Sequence, residues 1–311
     1  MNILLLGANG QLGRSFLEQG GLASQGRVVA ASRDGHRFDG STAEIADLSE
    51  PQSLPDLLDK LQPDVIVNAA AYTAVDRAEQ EAELATRVNG IAVGMLGTWA
   101  AAHDALVVHY STDYVFDGNA TIPYPVDATT APLGAYGRSK LAGERALLES
   151  GAKHLLLRTA WVYASHSHNF LRTMLRLAAD RDELRVVADQ HGTPTSTAII
   201  VNATLVALDR WQQANATQRT ALQGIHHLVA SGFTSWHGFA SEIFQAAHEQ
   251  GLIQRIPRVV PIATAEFPTP AKRPSWSVLD NTGFQQRFGY ALPNWQDGLH
   301  DVIKTLSTQA S

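Results

Sequence analysis

The chain contains no cysteine, which excludes disulfides, cysteine-ligated zinc and thiol nucleophiles together. It has no basic excess either: 24 Lys+Arg against 30 Asp+Glu leave a net charge of -6, with a pI near 6.0. That balance supplies neither the electrostatic footprint of a nucleic-acid binder nor a polybasic membrane patch. No apolar run approaches the ~20 residues a membrane helix needs. The opening segment, Met1-Asn2-Ile3-Leu4-Leu5-Leu6-Gly7, lacks a positive lead and a long apolar stretch, so it does not read as a secretion signal. A soluble cytoplasmic protein is the expectation, with no nucleic-acid and no membrane partner. What is present is a chain of 311 residues, 45% hydrophobic and 17% charged. It is long enough to bury a large core in one large domain or two unequal ones.

Short apolar runs alternate with helical stretches from the first residue. Ile3–Leu6, Val28–Ala31, Val65–Val67, Leu106–His109 and Leu155–Leu157 read as buried parallel strands. Between them Gln11–Gly20, Gln52–Leu61, Arg77–Ala102 and Ser139–Ser150 read as helices. This rhythm predicts an α/β fold: a doubly wound Rossmann parallel sheet over residues 1–165, with ligands at the carboxyl ends of its strands. After about Trp161 the rhythm loosens. Residues 166–311 are expected to form mainly a smaller C-terminal substrate-binding lobe, with segments around 192–230 packing back onto the first domain. In this half, Asn169–Ala179 and Ile199–Trp211 read as helices and Leu184–Val187 as a strand. Ser231–Gly251 reads as a helix entered through Thr234-Ser235. Gln212–Gln223 reads as a surface connection, and Ile256–Pro274, with five prolines, as loop.

The first strand runs directly into Gly7-Ala8-Asn9-Gly10-Gln11-Leu12-Gly13. Glycines at positions 7, 10 and 13 let backbone approach a pyrophosphate, which then sits at a helix N-terminus where free N–H groups favour anions. The second strand should carry the cofactor selector roughly 20 residues further on. It ends Ala31-Ser32-Arg33, with no acid before Asp34. Ser32 and Arg33 suit the 2′-phosphate of NADPH better than a bare ribose diol, while Asp34 leaves NADH possible. Asp47-Leu48 is placed to meet the adenine or to cap the following turn. The small residues Ala69-Ala70-Ala71 allow close approach of the cofactor or tight packing of strand on helix.

Tyr136 and Lys140 lie four residues apart and so share one helix face. A phenol titrates near ~10, and a neighbouring ammonium favours its ionised form, which eases proton transfer to a carbonyl receiving hydride. Val107-Val108-His109-Tyr110-Ser111-Thr112-Asp113 places two hydroxyls and a carboxylate at the end of the preceding strand. There a hydroxyl can bond the substrate carbonyl and steer Tyr136.

With its Ser/Thr–Tyr–Lys trio the chain resembles the extended short-chain dehydrogenase/reductase superfamily. Within it, four blocks are similar to the dTDP-4-dehydrorhamnose reductases: Pro63–Asp76, Tyr110–Phe116, Arg158–Tyr163 and Gln190–Thr195. A fifth is Pro268-Thr269-Pro270-Ala271-Lys272-Arg273-Pro274, so the resemblance covers nearly the whole chain. It implies NADPH-dependent reduction of the C4 keto group of dTDP-4-dehydro-L-rhamnose, in nucleotide-sugar and cell-surface polysaccharide synthesis. By the same resemblance Tyr136 is the acid, Lys140 lowers its pKa and binds the nicotinamide ribose, and Thr112 orients the sugar. Asp113 and Trp161 contact the substrate, and Arg273 pairs its diphosphate. Gly10, Gln11, Leu12, Asp47, Leu48, Ala71, Tyr72, Thr73 and Tyr110 match cofactor positions, Tyr72 replacing a frequent His. Some members bind Mg²⁺ through glutamates at a dimer interface. The matching positions here, Ser15, Ala198 and Gln296, are poor hard-cation ligands, so no metal site is expected, and a monomer or weak homodimer is. His109 reads as a strand residue with a satisfied ring. His226 and His227, adjacent on a strand, face opposite sides and make no metal pair.

Two other readings are open. An NAD-recycling nucleotide-sugar dehydratase or epimerase would typically follow the strand-end Thr with Asp-Glu, whereas Tyr114 follows Asp113 here. A non-catalytic Rossmann regulatory subunit would not require Thr112, Tyr136 and Lys140 together.

Overall fold

The computed structural model describes residues 1–310. Its centre is a sheet of seven strands, all pairs parallel. The first six are β1 (Asn2–Leu6), β2 (Arg27–Ser32), β3 (Glu44–Ile45), β4 (Val65–Asn68), β5 (Leu106–Thr112) and β6 (Lys153–Thr159), and the seventh is Gly224–His227. Their spatial order is Gly224–His227, β6, β5, β4, β1, β2, β3. Side chains alternate across each strand. Ile3, Leu5, Val65, Val67 and Val108 therefore join one core layer, and Leu4, Leu6, Ile66 and Val107 the other. Both faces being covered explains why these strands read as continuous apolar runs. The order reverses between β1 and β4, and the cleft opens at the carboxyl ends of those strands.

Outside this sheet, Glu183–Val187 pairs with Arg258–Ile262, His191–Gly192 with Thr234–Ser235, and Val162–Tyr163 with Thr195–Ser196. These ladders sit with the helices Phe170–Asp180, Trp236–Glu249 and Trp295–Ala310. Asn169 and Ser235 cap the first two, accepting from the N–H of Arg172 and Gly238. The helix Thr197–Gln213 packs beside Gln11–Gln19, on the central sheet. Among the described residues no helix is long and apolar enough to cross a membrane.

Four elements differ from the sequence reading. The stretch 77–102 is not one helix but a 3-10 turn Arg77–Glu79, a helix Ala82–Thr86, a π turn Arg87–Ile91 and a helix Ala92–Ala102. The π turn carries Asn89, whose side chain donates to Tyr72 O and accepts from Tyr72 N, both at 2.9 Å. A tertiary contact, invisible to periodicity, fixes the irregularity there. The helix bearing Tyr136 begins at Ala135, four residues earlier than expected. Arg258–Ile262 is a strand despite Pro261, because an edge position tolerates a missing N–H. Finally, Gln212–Gln223 contains the helix Ala216–Leu222, started by a reciprocal capping box between Asn215 and Gln218.

Candidate active site

The glycine turn is built by close backbone approach. Gly7 has φ 78°, and a Cβ there would lie 2.6 Å from Ala70 N; a Cβ at Gly13 would lie 2.1 Å from Gly7 O. The turn delivers the chain into the helix Gln11–Gln19, whose N-cap Gly10 offers no side chain to its N–H groups. That leaves them available to an anion. Beside it runs a cleft of about 720 Å³. Gly7, Gly10, Gln11, Leu12, Ser32, Arg33, Asp47, Leu48, Ala71, Tyr72, Thr73, Tyr110, Tyr136 and Lys140 all line it. Gly13 lies behind this lining, packed against Gly7.

At the rim, buried Ser32 donates to Asp34 Oδ1 at 3.0 Å, while Arg33 is exposed. Asp34 also accepts from His36 N. These bonds hold the Asp34 carboxyl below its ordinary range, the His36 bond contributing most. Asp47 accepts from Ser49 N and Oγ, closing a local turn as well as facing the cleft. The Tyr72 hydroxyl donates to Glu81 at 2.6 Å, and Arg77 pairs with the same carboxylate.

Next to the cleft-lining Ser111 but outside the lining themselves, Thr112 and Asp113 are joined: Thr112 Oγ1 donates to Asp113 Oδ1 at 2.9 Å and accepts from Tyr114 N at 3.2 Å. Burial pushes the Asp113 carboxyl up to about 6, and its Oδ2 has no hydrogen-bond partner. Glu79 Oε1 accepts from Ala135 N at 2.7 Å and so caps the Tyr136 helix in place of its N-cap, Gly134. A Cβ at Gly134 would lie 2.6 Å from that carboxylate, so a larger residue there would push the cap aside. The Tyr136 ring meets the edge of Tyr114, with centroids 5.7 Å apart.

Lys140 is only 2% exposed. Its Nζ donates to Tyr110 O at 2.6 Å and lies 3.3 Å from His109 Nε2. The other ring nitrogen of His109 is 3.1 Å from Asn68 Nδ2, and Asn68 Oδ1 accepts from Ala70 N at 3.2 Å. A buried chain thus joins the loop beside Gly7 to Lys140. Burial lowers Lys140 to about 8. It also raises the Tyr136 hydroxyl above its ordinary value, with the neighbouring Thr112 hydroxyl opposing. The direction at Tyr136 is opposite to the sequence expectation, because dehydration of the phenol outweighs a cation that is aimed at Tyr110 O.

Trp161 and Arg273 stand apart from the cleft lining. Trp161 stacks on Trp236. Arg273 donates to Asp76 Oδ2 at 2.8 Å and is 3.5 Å from the Tyr114 hydroxyl. Ser15 donates to Thr197 and contacts His166. No group of three or more His, Asp or Glu that could hold a metal occurs among the described residues. The donor set at Ser15, Ala198 and Gln296 does not fit a hard cation. His226 and His227 are buried on the seventh strand, against Phe288 and Phe116 respectively.

The family described as RmlD substrate binding domain matches residues 1–308. A dTDP-4-dehydrorhamnose reductase from Shigella flexneri is 43% identical over 308 residues, covering 99% of both chains. The chain belongs to the dTDP-4-dehydrorhamnose reductase family. The crystal structure of the Clostridium acetobutylicum reductase is 35% identical, with a TM-score of 0.85 over 98% of this chain and 99% of that one. The Bacillus anthracis reductase, solved in complex with NADP, is 30% identical, with a TM-score of 0.84 over 97% and 98%.

Ser111, one of the two strand-end hydroxyls read from the sequence, lines the cleft, and like Thr159 it has a buried hydroxyl oxygen that lacks a partner. Several cleft residues were not singled out by motif: Thr159 at the end of β6, His168 beyond it, and Arg77, Glu81, Leu84 and Val88 from the broken helix. Only register brings Asn68 and His109 together: they are Cα partners across β4 and β5.

Proposed function

We propose that this protein catalyses NADPH-dependent reduction of the C4 keto group of dTDP-4-dehydro-L-rhamnose to dTDP-L-rhamnose. The observation that carries this reading is the convergence of Tyr136 and Lys140, one turn apart on one helix, on the cleft that opens beyond the glycine turn. The cleft fits a dinucleotide. Gly7 and Gly10 leave room for a pyrophosphate at the N–H groups opening Gln11–Gln19, and the cleft-lining Ser32 and Arg33 would hold a ribose 2′-phosphate. Bound in this cleft, NADPH would supply the hydride; the Bacillus anthracis reductase was solved in complex with NADP.

The chain's own groups do the rest. Tyr136 holds a proton at its hydroxyl and delivers it to O4 of the sugar; the burial that raises its pKa keeps that proton in place until the oxygen gains charge. Thr112 aligns the phenol and the sugar oxygen. Lys140 positions the nicotinamide ribose and offers its positive charge as the phenolate forms. Gln11, Leu12, Asp47, Leu48, Ala71, Tyr72, Thr73 and Tyr110 hold the cofactor. Asp113, Trp161 and Arg273 contact the dTDP-sugar, Arg273 exchanging Asp76 for the diphosphate. Residues 1–165 with about 192–230 form the cofactor domain in this reading, the remainder covering the substrate in a cytoplasmic enzyme.

A dehydratase needs a second acid beside Asp113. Tyr114 stands there instead, its hydroxyl beside the Arg273 guanidinium and pushed up to about 12 by burial. The deciding experiment feeds dTDP-glucose through a 4,6-dehydratase and a 3,5-epimerase, adds this protein, and follows NADPH loss with product identification. Formation of dTDP-L-rhamnose at enzyme-dependent rates is expected; NADPH that stays unoxidised would overturn the proposal.

A further inference from the structure

Trp161 has a backbone φ of 46°, in the left-handed region that a bulky residue rarely adopts. Such a conformation persists only where its surroundings over-determine it, and it gathers at ligand clamps. Two neighbours do so here. The Trp161 indole lies face to face on that of Trp236, with centroids 3.5 Å apart and planes within 4°. Gly192 closes against it too: a Cβ there would lie 2.5 Å from Trp161 Nε1.

The two neighbours are themselves tied together. Thr234–Ser235, which leads into the Trp236 helix, pairs antiparallel with His191–Gly192. Ser235 accepts from Gly238 N at 3.1 Å and fixes the first turn, so Trp236 has a defined origin. Its other neighbour is Phe170, with centroids 4.7 Å apart. Trp161 follows the carboxyl end of β6, and its chain neighbour Val162 lines the cofactor cleft. One indole therefore belongs to the central sheet and its partner to the smaller lobe.

We propose that Trp236 is a positioning residue for sugar binding: its ring holds the Trp161 indole in the strained pose that meets the substrate. The inference rests on the reductase reading, in which Trp161 touches the sugar. Neither indole lines the cofactor cleft or touches Tyr136, so the stack acts on sugar affinity first.

The test uses the full-length protein and the stable product dTDP-L-rhamnose, assayed with NADP⁺ in the oxidative direction. Stacked indoles give an exciton couplet in ultraviolet circular dichroism, which reports the pair directly. Trp236→Leu should abolish the couplet and raise KM for dTDP-L-rhamnose by about 2- to 12-fold, the range an aromatic pair supplies. Its kcat and NADP⁺ affinity should stay within about 2-fold on the same scale. Adding Trp161→Phe to Trp236→Leu should cost less than it costs alone, since both act through one contact. Should the Leu variant fail to fold, Trp236→Phe serves: the couplet goes and KM rises less. A couplet lost with KM unchanged overturns the proposal, as does an equal loss of kcat, sugar affinity and NADP⁺ affinity. Wild-type protein that oxidises no dTDP-sugar would instead sink the reductase reading. In that event, a couplet unchanged by dTDP-L-rhamnose at concentrations that bind would count against the positioning role as well.

Discussion

Thr112 donates its hydroxyl proton to Asp113 at 2.9 Å, and both side chains are almost wholly buried. That bond satisfies one carboxylate oxygen, while the other, Oδ2, makes no hydrogen bond of good geometry; the neighbouring Ser277 and Thr112 hydroxyls only partly oppose the effect of burial. A carboxylate kept in this state is costly to the fold, and the cost has a defined pH dependence.

Burial raises Asp113 from 3.8 to about 6, so the folded protein retains this proton to higher pH than the unfolded chain does. Stability therefore declines as pH rises through this window, and the penalty, of order 3 kcal/mol, is fully present at pH ~7.5. Asp113→Asn should raise the melting temperature at pH ~7.5 and confer little gain near pH ~4. Thermal unfolding across that range checks it; a gain independent of pH would show that Asp113 is not the titrating group. In the same variant KM for the sugar should rise more than kcat falls, because the proton comes from Tyr136.

Tyr136→Phe should remove the proton donor without disturbing the cleft. General acid help is worth about 10²–10⁴-fold, and turnover should fall by that order at near-normal NADPH affinity. Steady-state rates with a fluorescence titration of NADPH decide it; near-normal turnover would remove Tyr136 from the chemistry.

Glu79 should matter to Tyr136 although it lies in another element. Its carboxylate replaces the missing cap on the Ala135–Glu149 helix. Glu79→Ala should cost about 0.5–2 kcal/mol in denaturant unfolding and lower kcat. Glu79→Gln, which keeps an acceptor oxygen, should restore most of both. Equal losses in the two variants would mean that charge rather than the cap is what counts.

Arg33→Ala tests the cofactor choice. An exposed guanidinium on a phosphate contributes about 10-fold or more in affinity. The variant should lose that factor for NADPH and almost none for NADH, and added salt should imitate the loss in part. Equal weakening of both cofactors would make Arg33 a bystander.

The repeating apolar runs and the glycine turn of Gly7, Gly10 and Gly13 determined, from sequence alone, that a parallel sheet would present a dinucleotide cleft. They could do so because a short continuous apolar run and a glycine turn leading into a helix are local properties of the chain. The Tyr136–Lys140 spacing put both residues on one helix face for the same reason. Tertiary structure decided what those residues meet. Lys140 is spent on Tyr110 O and His109, Glu79 arrives from 56 residues away to cap the Tyr136 helix, and Asn89 breaks a helix to hold Tyr72. Each is a contact between segments remote in the chain, set by strand order and register, which no local periodicity encodes. Burial itself is such a property. The sign of the Tyr136 shift follows from how much protein surrounds the phenol, and only the folded chain determines that.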